Sequence, residues 1–270
     1  MTLTLPSDGP AAPNTRSFKS LRAIGALIIR EMSTSYGRSP GGYFWAVMEP
    51  VAGVALLSIV FSLAVRTPSL GTNFQIFYAT GFLPFVFYRE IENKIAASLK
   101  FSKALLFYPG VTYADALIAR LALTVVTQFM VFFLVVSAIL AIWETRTAPE
   151  PLLILSSLAG IVILGAGVGT LNCFLTSVMP LWERFWAVLN RPLLIVSGVI
   201  FLHDNIPQPW QDYLWWNPVV HIVGQMRRAF YPQYQGDYVN MLYPIGVGMV
   251  LLVVGLILLN RYNRDILNLY

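Results

Sequence analysis

Apolar positions recur at three- and four-residue steps from Phe18 to Met32, at Phe18, Leu21, Ile24, Leu27, Ile28 and Met32, with Lys19, Arg22 and Arg30 largely opposite. This spacing predicts an amphipathic helix over 18–32. It is too short and too charged to cross a bilayer, so it fits a helix lying in a headgroup layer, basic side towards anionic lipid, or one packed on a protein partner. Further along, apolar stretches at about 46–65, 74–92, 117–143, 152–178, 185–202 and 242–260 approach the roughly 20 residues that a membrane crossing needs. Six transmembrane helices are predicted. Pro50 is expected in the first turns of the first span, where a missing amide hydrogen is tolerated. Pro84 should kink or interrupt the second, and Asn190-Arg191-Pro192 should interrupt the fifth. Between the last two spans, about 205–240 is rich in Trp, Tyr and Pro, and its apolar run Pro218–Val223 is too short to cross, which suggests a re-entrant or interfacial helical hairpin. Residues 1–15 read as a disordered tail, with no basic stretch and apolar core of a cleaved signal peptide.

Composition agrees with the pattern. Of 270 residues, 57% are apolar and 11% charged, against about 25% charged in soluble domains. The reading is an all-α polytopic membrane protein, with a single transmembrane domain over 16–270. Six spans leave no room for a nucleotide-binding domain of ~150 residues, so any energy source is expected on another chain. The net charge of +5 reads as topology rather than as a nucleic-acid surface, because Lys and Arg gather in cytoplasmic loops. With both termini inside, Arg16, Lys19, Arg22, Arg30, Arg38, Arg89, Lys94, Lys100, Lys103, Arg120, Arg184, Arg191, Arg261 and Arg264 are cytoplasmic, 14 in all, and only Arg66, Arg146, Arg227 and Arg228 lie outside.

Catalytic chemistry is hard to find. There is no G-x-x-x-x-G-K-[ST] loop to cradle phosphates, so no nucleotide is expected on this chain. His203 and His221 lack the carboxylate or cysteine company of a metal site, and His221 reads better as an interfacial hydrogen-bonder. No Asp-x-Asp pair supports a metal-dependent glycosyltransferase, and the single cysteine, Cys173, excludes an intrachain disulfide. Neither a catalytic residue nor a metal ligand is expected. Gly160, Gly165, Gly167 and Gly169 mark a small-residue face on the fourth span, suited equally to packing within one subunit and to a dimer seam.

The stretch from Arg30-Glu31 through Tyr36-Gly37-Arg38-Ser39-Pro40-Gly41-Gly42-Tyr43-Phe44-Trp45 to Glu49-Pro50 resembles the N-terminal signature of permease subunits of type-2 ABC exporters for capsular polysaccharide. Thr80-Gly81-Phe82-Leu83-Pro84 through Arg89-Glu90, and Trp216-Asn217-Pro218 through His221 to Arg227, extend the resemblance in the same order along nearly the whole chain. It implies two permease copies on a cytoplasmic ATPase dimer that carries ATP and Mg, a lipid-linked polysaccharide as cargo, and a periplasmic partner of the co-polymerase type. It also implies a bacterial inner-membrane location, with both termini cytoplasmic, and a coupling helix in the loop between the second and third spans.

In that frame, Phe101, Lys103, Leu105, Leu106, Phe107 and Tyr108, in a short amphipathic stretch (101–108) closed by Pro109-Gly110, offer an apolar and basic knob for a groove on the ATPase, or else an ordinary lipid-facing loop helix. Arg89, Glu90 and Glu92 stand where the second span meets the cytoplasm. They line a wet entrance, where Arg89 suits an anionic sugar or phosphate, or they snorkel. Arg38 joins them as a candidate for the substrate path. Tyr43, Trp45, Tyr78, Phe82 and Phe85 offer flat apolar faces for sugar rings, or act as belt and packing residues. Trp210, Trp215, Trp216, Arg227 and Arg228 suggest an outer gate, or headgroup anchors. Three functions compete: export of capsular polysaccharide; the same architecture carrying O-antigen, teichoic acid or a small drug; and a membrane enzyme acting on lipid-linked sugars.

Overall fold

The computed structural model describes residues 19–36, 41–106 and 111–269. The expected tail at 1–15, Arg38, Phe107 and Tyr108 lie outside these residues. In chain order the helices are α1 (Lys19–Glu31), α2 (Gly42–Ala64), α3 (Phe74–Ala96), α4 (Ser98–Leu106), α5 (Tyr113–Ile142), α6 (Pro151–Val178), α7 (Pro180–Val196), α8 (Trp210–Trp215), α9 (Pro218–Phe230) and α10 (Leu242–Leu269). Among the described residues every regular element is helical.

Local chemistry sets several helix starts. Thr112 and Asp115 form a reciprocal capping box at α5: the Thr112 hydroxyl accepts from the Asp115 amide, and the Asp115 carboxylate accepts from the Thr112 amide. Pro151, Pro180 and Pro218 open α6, α7 and α9, where no amide donor is needed. Asn217 adds a side-chain cap, accepting from the Val219 amide at 3.0 Å.

α6 is the central pillar, packed against α3, α9 and α10. Its small-residue face turns inward. A Cβ at Gly165 would meet Ile91 of α3, and one at Gly169 would meet Ile95 and the Glu92 backbone. At Gly167 it would collide with the Gly248 backbone of α10. The glycines therefore let helices of one subunit approach to backbone contact, which decides between the two uses that the sequence left open.

Among the described residues four helices, α2, α5, α6 and α10, are long and apolar enough to cross a membrane. α3 matches α2 in length, yet its C-terminal turns carry Arg89, Glu90, Glu92 and Lys94. α7 begins at Pro180 and stops at Val196, short of the predicted 185–202, and holds Glu183, Arg184 and Arg191. The next residues leave the helix at Gly198, whose φ of +72° suits glycine, and fold back towards α3. Proline interrupts neither helix: α3 is continuous through Pro84, and α7 through Asn190-Arg191-Pro192. α2 starts at Gly42, so Pro50 lies two turns inside it, buried, rather than in the first turn. Within about 205–240 stand the short helices α8 and α9, and eleven of the thirteen residues of α9 are buried. His221 fastens this region: Nε2 meets the Trp215 carbonyl at 2.9 Å, and Nδ1 accepts from the Asn240 amide at 3.2 Å.

Candidate functional site

The polar end of α3 is the most unusual chemistry in the chain. Glu92 is fully buried. Its Oε1 accepts from Asn172 Nδ2 of α6 at 2.9 Å and from Trp186 Nε1 of α7 at 2.8 Å, while Oε2 has no partner among the described residues. Trp182 donates its indole N–H to Asn172 Oδ1 at 2.9 Å, which fixes the amide so that its nitrogen faces the carboxylate. A buried carboxylate is costly unless hydrogen-bonded, and here three helices converge to hold one oxygen and leave the other. Beside it opens a cavity of about 350 Å³, lined by Arg89, Glu92, Lys100, Asn172, Trp186 and Asn190 among others. Lys100 of α4 and Glu183 of α7 form an ion pair of 3.3 Å at this cavity, both well exposed.

α4 lies against this site and is tied to α1. The Arg120 guanidinium donates through Nε to Glu31 Oε1 at 2.7 Å and through Nη1 to the Lys94 carbonyl at 3.0 Å. The Glu31 and Arg120 side chains are only 7% and 6% exposed. The same guanidinium sits 4.2 Å from the centre of the Phe101 ring, and Arg30 approaches that ring at 5.2 Å. Ser20 donates to the Asp115 carboxylate, joining α1 to the start of α5. One aromatic residue of α4 is thus held by arginines from α1 and α5. Leu105 and Leu106 are half-buried, and so is Lys103, which makes a further interaction of its own.

The remaining predicted residues fall into different settings. Tyr43 and Trp45 are exposed at the start of α2, beside Phe44. Tyr78 is buried in an aromatic stack with Phe61, Phe74 and Phe77. Phe85 is buried, and Phe82 covers Gly53 of α2. Arg89 joins Glu92 at the cavity, whereas half-buried Glu90 feels Glu49 of α2. On the α8 side, Trp210 and Trp216 are exposed, Trp215 is half-buried over His221, and Arg228 reaches Gln225 at 3.5 Å. Arg227 stands apart from these: it is 1% exposed and donates to the carbonyls of Phe201 at 3.0 Å and Val199 at 2.9 Å, over the ring of Phe77. It clamps the 198–202 turn onto α3 at Gly81, where any Cβ would crowd the Val199 carbonyl. Burial raises the pKa of the neighbouring Tyr231 hydroxyl, an effect that the Arg227 charge opposes.

Sequence reasoning missed Asn172, Trp182 and Trp186, and it took Glu31 and Arg120 only as a motif residue and a loop charge. An asparagine inside the otherwise apolar 152–178 run was the available signal, because such a residue needs a partner within the membrane. Among the described residues no group of three or more His, Cys, Asp or Glu is placed to hold a metal ion.

Comparison with known proteins is consistent along the chain. The family model described as ABC-2 type transporter matches residues 22–231. The polysialic acid transport protein KpsM of Escherichia coli is 28% identical over 235 residues, covering 87% of this chain and 91% of that protein. The capsule polysaccharide export inner-membrane protein CtrC of Neisseria meningitidis serogroup A is 24% identical over 245 residues, covering 91% and 92%. BexB of Haemophilus influenzae, with the same descriptive name, is 24% identical over 247 residues, again covering 91% and 92%.

Proposed function

Because the chain belongs to the ABC-2 type transporter family, we propose that it is the membrane subunit of an ATP-driven exporter that carries lipid-linked, acidic capsular polysaccharide out of the bacterial cytoplasm. The observation that carries this reading is the likeness to capsule export inner-membrane proteins over about nine-tenths of both partners' lengths. The chain is a transport permease rather than an enzyme, and hydrolysis belongs to a separate ATPase subunit that holds ATP and Mg.

Two copies form the conduit above an ATPase dimer, in the bacterial inner membrane, with a periplasmic partner of the co-polymerase type receiving the polymer. In each copy α2, α3, α5, α6, α10 and α7 extended by residues 197–202 make six membrane passages, with α8 and α9 as the re-entrant pair. The α1 helix lies along the cytoplasmic headgroups. The 14-to-4 distribution of Lys and Arg supports cytoplasmic termini.

The mechanical part of the proposal follows from α4. Closure of the ATPase on ATP moves the knob at Phe101, Lys103, Leu105, Leu106, Phe107 and Tyr108. Phe101 is gripped through Arg120 and Arg30, so this displacement is shared with α1 and α5 rather than absorbed in a loose loop. Arg38, Arg89, Glu90 and the exposed aromatics Tyr43 and Trp45 are candidates for guiding an acidic glycan, with Trp210, Trp215, Trp216 and Arg228 at the outer side. Arg227 acts there as the clamp beneath them.

The test is purification and deletion. A subunit bearing a P-loop should copurify tightly, and loss of the chain should leave capsule inside the cell. Sugar transfer by the isolated chain, or normal surface capsule without it, would overturn the reading.

A further inference from the structure

We propose that the cavity between α3, α4, α6 and α7 binds one uncharged sugar ring through Glu92, Asn190 and Arg89; this rests on the export reading and gives it a subsite inside each copy. Two buried polar atoms mark the site. Glu92 Oε2 and Asn190 Nδ2 belong to side chains that line the cavity, and neither atom has a partner among the described residues. One needs a hydrogen-bond partner for a carboxyl oxygen and the other for an amide N–H, and a pair of sugar hydroxyls serves both because each hydroxyl donates and accepts.

Charge narrows the ligand class. The lining carries Arg89 and Lys100 against Glu92 and Glu183, so the site is balanced. An inorganic anion would face the Glu92 carboxyl at its base, and a divalent metal would find Glu92 beside the Arg89 guanidinium and Glu183 already paired with Lys100. Small and flat walls, Ala96, Ala97, Pro180, Ala187 and the Trp186 indole, suit the C–H faces of a pyranose. About 350 Å³ is near the lower limit of small-molecule sites, which favours a single ring over an oligomer. Access is tied to the motor side of the protein. The Lys100–Glu183 pair bridges α4 and α7 at the cavity and is solvent-exposed, so it holds weakly and parts when α4 moves.

The test uses the permease–ATPase complex in nanodiscs and saturation-transfer NMR with glucose, galactose, N-acetylglucosamine and glucuronic acid, and with inorganic phosphate as competitor. At least one neutral sugar should show saturable millimolar binding, weakened at least tenfold by Glu92→Gln. Should that variant fail to fold, Ala97→Phe, which fills the cavity from its exposed wall, should give the same loss. The proposal is overturned if no neutral sugar binds saturably, if both variants bind as the parent does, or if phosphate displaces the sugar. Each of those results leaves the export reading intact, because ATPase copurification and surface capsule are measured separately.

Discussion

Replacing Arg120 by methionine tests whether α1, α4 and α5 form one mechanical unit. Methionine keeps an apolar stem of similar reach but removes the charge, the bond to Glu31 at 2.7 Å, the bond to the Lys94 carbonyl and the cover over Phe101. Glu31 is left as a buried carboxylate, its side chain 7% exposed, with its cation gone. Breaking a buried pair from one side costs about 3–5 kcal/mol. At about 2–4 °C per kcal/mol for chains near this size, the midpoint should fall by roughly 6–20 °C. Adding Glu31→Gln removes the stranded charge, so the double variant should recover a large part of the loss rather than sum two losses. The assay is thermal unfolding of the detergent-solubilised complex, followed by size-exclusion of a fluorescent fusion. In cells, the double variant should keep ATP hydrolysis and lose surface capsule, because α5 no longer grips Phe101 through Arg120. A fall of less than about 2 °C in Arg120→Met, or strict additivity in the double variant, would refute the reasoning.

At the α6–α10 crossing, Gly167→Val drives a side chain into the Gly248 backbone; overpacking of this kind costs about 1–3 kcal/mol or more, so expression of folded protein should collapse. Gly246→Ala, which meets nothing within 4 Å, should leave it unchanged in the same measurement. Leu106→Glu, on the half-buried side of α4, should leave the chain inserted while uncoupling ATP hydrolysis from export, read as hydrolysis with no surface capsule. A cysteine placed at Ser69 should react with an impermeant maleimide in intact cells, and one at Lys103 only after lysis; the reverse pattern would invert the proposed topology.

Much of the layout is legible in the amino-acid pattern because membrane helices are declared by composition: the edges of α1 and α6 fall within a residue of the predicted ones, while α3 and α10 start where predicted and run on four and nine residues further. At Pro84 a helix buried among its neighbours tolerates the missing amide donor, so local breaking tendency loses to tertiary support, whereas Pro192 is exposed on α7 and has no such burial around it. The α7 region misled for another reason: Leu193–Leu202 is apolar but for Ser197, yet its apolarity serves burial of Val199 and Leu202 in the core rather than continuation of a helix. Apolar runs declare burial, not what they are buried against.

Buried ions are where the pattern says least, because a charge counts the same in a one-dimensional reading whether it faces water or a ring. Arg120 and Arg227 both enter the positive-inside count as loop cations, yet each is nearly inaccessible and bonded to specific acceptors. Removing Arg120 from the inner side and Arg227 from the outer leaves 13 against 3, so the bias behind the proposed orientation does not depend on these two buried residues. Their placement also divides the molecule mechanically. Arg120 ties α4 to α1 and α5 at one end, while Arg227 ties the 198–202 turn to α3 at the other. α3 is the element common to both, since Lys94 gives its carbonyl to Arg120 and Phe77 its ring to Arg227. One helix, continuous through Pro84, therefore joins the two tied regions.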